Sequence, residues 1–163
     1  MEKSVVIDTN VLVDGCNLER PWSINCVKLV LKIDDGELCL GVDNEGEIIE
    51  EYVKHLNKFY KKQVVATAIL DILRKAAKKN NNNIKSYFMI REDKVIDLMK
   101  NGFHKKDIKF VRIAPSTTSK LIISADEKSF LNSEYRLWIE NNLKVNVEHP
   151  NNYENILLLI DPE

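Results

Sequence analysis

Ser4-Val5-Val6-Ile7-Asp8-Thr9-Asn10 is a short apolar run that stops abruptly at a carboxylate. A strand with one wet face alternates apolar and polar residues. An unbroken β-branched run instead suits a strand buried on both faces, as in parallel sheets. Leu38-Cys39-Leu40-Gly41-Val42 and Leu121-Ile122-Ile123 are runs of the same kind, and Val145-Asn146-Val147 predicts a final strand.

Between these runs apolar residues recur at the helical period. Val27, Val30 and Leu31, with Ile33 beyond them, predict a helix that breaks at Asp34-Asp35-Gly36. Asn44 is placed to cap a helix with Ile48, Ile49, Tyr52, Val53 and Leu56 on its core face. Gln63 to Lys79 predicts another helix, followed by four asparagines at 80–83. A further helix is predicted over Ile84 to Lys100, on Tyr87, Phe88, Val95, Leu98 and Met99, closed by Asn101-Gly102. Helices over Lys106–Ala114, Ser133–Asn142 and Tyr153–Ile160 complete the pattern. Strands alternating with helices predict an α/β fold, a three-layer α/β/α sandwich with a mostly parallel central sheet, in a single domain over residues 1–163.

Composition agrees with that reading. At 163 residues and 44% hydrophobic, the chain is long and apolar enough to bury its own core, which excludes a disordered class. The longest aliphatic run, Ile156 to Ile160, is too short to span a bilayer, and no apolar signal segment follows Met1. Cys16, Cys26 and Cys39 are an odd number at spacings unlike a zinc motif, so reduced thiols are expected. The expectation is a cytoplasmic protein without a membrane partner. Charge is divided sharply along the chain. Residues 1–51 hold 4 basic and 12 acidic residues, net −8; residues 52–120 hold 17 and 5, net +12; residues 121–163 hold 3 and 8, net −5. A basic middle of this size suits a polyanion partner, or simply solvated helices that carry lysine for solubility.

Carboxylates fall where strands end. Asp8 follows the first strand directly, and Asp126 comes just past Leu121-Ile122-Ile123. In open parallel sheets ligands bind beyond the carboxyl ends of strands, where strand order reverses, so these two residues can meet there. Neighbouring carboxylates raise each other's pKa unless a cation lies between them, and a hard ion such as Mg²⁺ or Mn²⁺ suits oxygen donors. Asp8 as a helix cap and Thr9-Asn10 as turn residues are the structural alternative.

These residues resemble the PIN domain family. Val5-Val6-Ile7-Asp8-Thr9-Asn10-Val11-Leu12-Val13 is similar to its opening strand and first acidic residue. Glu51-Tyr52, within Ile48-Ile49-Glu50-Glu51-Tyr52-Val53-Lys54-His55-Leu56, looks like its second acidic position, and the match to a glutamate–tyrosine pair selects Glu51 over Glu47 and Glu50. Asp107, in Lys106-Asp107-Ile108-Lys109-Phe110, resembles the third, and Asp126, in Ile122-Ile123-Ser124-Ala125-Asp126-Glu127-Lys128-Ser129, the fourth. The resemblance spans residues 4 to about 148 and is weakest over 60–104. Lys128 and Ser129 stand where many relatives have another aspartate, and Arg112 and Pro115 where small residues are usual.

The resemblance implies a metal-dependent nuclease acting on single-stranded RNA, as in toxins of toxin–antitoxin pairs. It implies Asp8, Glu51, Asp107 and Asp126 as catalytic ligands of Mg²⁺ or Mn²⁺, with Thr9, Asn10 and Ser124 in support. Lys54, Lys58, Lys61, Lys62, Lys105 and Lys106, with Lys75, Lys78 and Lys79, would then hold the nucleic-acid backbone. The partners implied are an RNA substrate, an antitoxin protein over the acidic cleft and a second copy of the chain. The alternative is a non-catalytic PIN-like binding module with an incomplete metal site. A haloacid-dehalogenase-like phosphatase needs an aspartate two residues after Asp8, where Asn10 stands, and no glycine-rich phosphate loop follows any strand.

Overall fold

The run Ser4–Ile7 forms β1, the central strand of a five-stranded sheet, and all four of its residues are buried. The computed structural model describes residues 2–76 and 82–162. After β1 come α1 (Thr9–Gly15), α2 (Ser23–Asp34), β2 (Cys39–Asp43), α3 (Glu47–Leu56) and α4 (Val64–Ala76). They are followed by β3 (Ile84–Tyr87), α5 (Ile96–Lys100), α6 (Ile108–Ile113), β4 (Leu121–Ile123), α7 (Ser133–Leu143), β5 (Asn146–Glu148) and α8 (Tyr153–Ile160).

The sheet order is β3-β2-β1-β4-β5, and every pair is parallel. Helices flank it as a three-layer α/β/α sandwich, with α1, α2 and α4 packed on one another and α6 against β1 and β2. β1, β2 and β4 are buried along their whole length because helices cover both faces, which is why β1 and β4 need no polar alternation. Chain progression runs outward from β1 through β2 to β3, then restarts at β4 on the other side. The switch point therefore lies between β1 and β4, in the register Val6 to Ile122 and Ile7 to Ile123.

Two expectations need correction. The helix predicted from Ile84 to Lys100 is a strand, an extended stretch, a short 3₁₀ turn at Glu92–Val95 and only then α5. Backbone pairing decides it: Leu40, Gly41, Val42 and Asp43 of β2 pair with residues 84–87. Beyond β3, Ile90 is tied to α6, its N–H donating to the Arg112 carbonyl (2.9 Å) while Arg112 Nε donates back to the Ile90 carbonyl (2.8 Å). The expected parallel sheet is borne out, with β3 added as its outermost strand beside β2. Finally, α3 is capped by Asp43 and not by Asn44. The buried Asp43 carboxylate accepts from the N–H groups of Glu47 (3.0 Å) and Ile48 (2.8 Å), reaching them because Gly46 turns the chain at φ +85°.

The chain closes α5 as expected. Gly102, at φ +98°, lets its N–H reach the Met99 carbonyl and that of Phe103 reach Leu98. The end of the helix predicted to Lys79, with Asn80 and Asn81, lies outside the described residues. The three cysteines are buried and free. Among the described residues no helix is long and apolar enough to cross a membrane.

Candidate active site

Four elements bring their acidic residues to one cleft of about 610 Å³ at the carboxyl ends of β1 and β4. Asp8 enters from the end of β1, Glu51 from α3, Asp107 from the 3₁₀ turn before α6, and Asp126 from the loop after β4. Thr9 and Asn10 line the same cleft, as do His55, His104, Lys106 and Lys128. The structure thus assembles all four carboxylates, drawn from positions 8 to 126.

Asp8 is 5% exposed, and the Ser124 hydroxyl donates to its Oδ2 at 2.8 Å. The same Ser124 oxygen accepts the Asp126 N–H (3.0 Å), and Asn10 Oδ1 accepts that of Ala125 (3.3 Å). These bonds lock the loop after β4 against the start of α1. Asp126 is held by accepting the N–H groups of Lys128 (3.0 Å) and Ser129 (3.1 Å). Ser129 in turn donates its hydroxyl to Asp107 Oδ2 at 2.9 Å. A neutral donor therefore meets Asp107 where a further carboxylate would have added charge.

The charge pattern follows from burial and crowding. Desolvation pushes the Asp8 carboxyl up to about 7; Asp107, then Asp126 and Glu51, push the same way, and the Ser124 hydrogen bond opposes them. Asp107 is also raised, chiefly by burial, with Ser129 and His104 opposing and Asp126 and Glu51 adding to the rise. Such carboxyls are short of positive charge, and their donor set is all oxygen.

Glu51 is differently placed. Lys109 Nζ lies 2.7 Å from its Oε1, and the Thr9 hydroxyl donates to its Oε2. What aims Glu51 at the cleft is its neighbour. Tyr52 is fully buried and donates its hydroxyl to the Ile7 carbonyl of β1, which fixes the rotation of α3. Glu47 and Glu50 project instead into an adjoining groove with Lys105, Lys109 and Arg112.

Among the described residues, no group of three or more His, Cys, Asp or Glu is arranged to hold a metal ion. Mg²⁺ commonly takes only one or two carboxylates and fills its remaining positions with water and substrate phosphate. The crowded, buried Asp8 beside Asp107 and Asp126 fits that smaller demand.

The expected basic surface is dispersed. Lys106 lines the acidic cleft, and Lys105 borders the adjoining groove. Lys61, Lys62 and Lys75 surround a separate groove on α4 together with Asp34 and Asp71. Lys54 and Lys58 are exposed, with the Lys58 ammonium 5.1 Å from the Phe59 ring centre. Lys78 and Lys79 lie outside the described residues. Sequence reasoning passed over Lys109, Ser129 and Asp43 as functional or capping groups. Only Ser129 carried a signal, its place three residues after Asp126. A comparison of the chain with protein-family models, curated proteins and solved structures finds no match.

Proposed function

We propose that this chain is a PIN-like, metal-dependent nuclease that hydrolyses single-stranded RNA. The observation that carries the reading is that Asp8 and Asp126 line one cleft just beyond the β1–β4 switch point, together with Asp107. Asp8, with one of its neighbours Asp107 and Asp126, would hold Mg²⁺ or Mn²⁺, water and substrate phosphate filling the other positions. Bound there, the ion would supply Lewis-acid activation of water and would neutralise charge developing on the phosphate. Ser124 and Ser129 keep Asp8 and Asp107 oriented, each through one hydroxyl donor. Lys106 and Lys128, exposed at the cleft rim, meet the phosphates of a bound strand. A toxin of a toxin–antitoxin pair fits a nuclease of this size, with an antitoxin covering the cleft and a second copy of the chain as a further partner.

The test is cleavage of single-stranded RNA in Mn²⁺ and Mg²⁺ by the wild type and by Asp8→Asn. Metal-dependent cleavage that the folded variant lacks supports the proposal. Equal cleavage by both proteins overturns the assignment of Asp8. A second reading, a non-catalytic RNA-binding module, is favoured by the absence of a three-carboxylate group among the described residues. RNA binding by the wild type with no cleavage in either metal would establish it.

A further inference from the structure

Lys109 sits in the first turn of α6, which packs against α3 and so brings the ammonium to Glu51. The two side chains are only 12% and 19% exposed. Lys109 Nζ also donates to the Lys106 backbone carbonyl and lies 5.1 Å from the Phe110 ring centre. On the other side, Thr9 occupies the second Glu51 oxygen. Both oxygens of Glu51 are thus engaged, one by a full positive charge largely out of water.

A divalent ion that took Glu51 as a ligand would have to displace this ammonium. It would leave Lys109 confined beside a dication, with its counter-charge lost to the metal. Among the described residues, Asp8, Asp107 and Asp126 have no ammonium bonded to them; their hydrogen-bond donors are hydroxyls and backbone N–H groups, with only the His104 ring acting on Asp107 from nearby. We infer that Lys109 is a built-in counter-cation that keeps Glu51 out of the ligand set, so that the cleft takes one divalent ion rather than two. Lys109 is therefore a positioning residue. Through Glu51 and Thr9 it also steadies the start of α1, directly after Asp8.

This inference rests on the proposed metal-dependent function, and counting bound ions separates the two. Mn²⁺ is titrated into the purified chain and followed by calorimetry, with free Mn²⁺ measured by electron paramagnetic resonance. The wild type should bind one Mn²⁺. Lys109→Gln frees Glu51 and should bind two, whereas Lys109→Arg retains the charge and should bind one. Glu51→Gln, which preserves shape, should still bind one ion, weakened by about tenfold or less because Lys109 is left uncompensated nearby. Two ions on the wild type, one on a folded Lys109→Gln, or loss of the site in Glu51→Gln overturns the inference alone. No Mn²⁺ on the wild type overturns the metal reading as well. If Lys109→Gln does not fold, the Glu51→Gln result decides.

Discussion

The Ser124 hydroxyl donates to Oδ2 of Asp8 at 2.8 Å, crossing from the end of β4 to the end of β1. This bond favours the ionised form of a carboxyl that burial otherwise keeps protonated up to about 7. In Ser124→Ala the Asp8 pKa rises further, so protons compete more strongly with any cation. The midpoint of Mn²⁺ binding against pH should move upward. Calorimetric titrations across a pH series check this, and an unmoved midpoint would show that the hydroxyl does not tune Asp8.

Asp8 also makes the stability of the metal-free protein depend on pH. Unfolded, this carboxyl titrates near 3.8; folded, near about 7. Between those values the folded chain binds a proton that the unfolded chain has released, so stability falls as pH rises through the window. Below it both states are protonated and the contribution vanishes. Asp8→Asn should therefore melt above the wild type at pH 8, by a few kcal/mol at about 1.4 kcal/mol per pH unit. The gap should close towards pH 4. Thermal melts in a chelator measure it, and a gap independent of pH would contradict the assignment.

Tyr52 anchors α3 to β1 through the Ile7 carbonyl. Tyr52→Phe keeps the buried ring but removes that donor, at a cost of about 1–3 kcal/mol. Urea unfolding should register the loss with an unchanged m-value. Activity should fall by more than stability alone explains, because the adjacent Glu51 accepts from Thr9, the residue directly after Asp8.

Basic residues at the cleft and on α4 should part company in RNA binding. Lys106→Gln should flatten the dependence of affinity on salt by about 0.7 in the log–log slope, the share of one phosphate contact on a single strand. Lys61→Gln with Lys62→Gln should leave the slope for a short oligonucleotide unchanged, since those side chains border the separate α4 groove. Fluorescence anisotropy in Ca²⁺ over a salt series distinguishes the two. Equal flattening would place both surfaces on one track.

The central strands were readable because burial on both faces leaves a plain mark: Val5-Val6-Ile7 and Leu121-Ile122-Ile123 have no polar residue to misplace. The edge strand β3 had no such mark. Its burial is partial, and Tyr87, Val95, Leu98 and Met99 mimic a helical face when pairing with β2 is out of view. Asp8 and Asp126 could be placed from strand ends alone. The Lys109–Glu51 pair could not, since it depends on how α6 lies against α3 rather than on any spacing within either helix. Net charge likewise carries no information on placement. Lys61, Lys62 and Lys106 belong to one basic segment of sequence but to two grooves of the molecule.

The pairing of β1 with β4 joins residues 116 positions apart, Ile7 with Ile123. Closing so long a loop is entropically slow compared with forming the local helices and the β1–β2 pair. Asp8 leaves the ribosome early, whereas its companions Ser124 and Asp126 must be synthesised and docked before the acidic pocket exists. A nascent chain accordingly carries Asp8 before Ser124 and Asp126 can join it. For the nuclease proposed here, hydrolysis would be withheld until β4 has closed on β1.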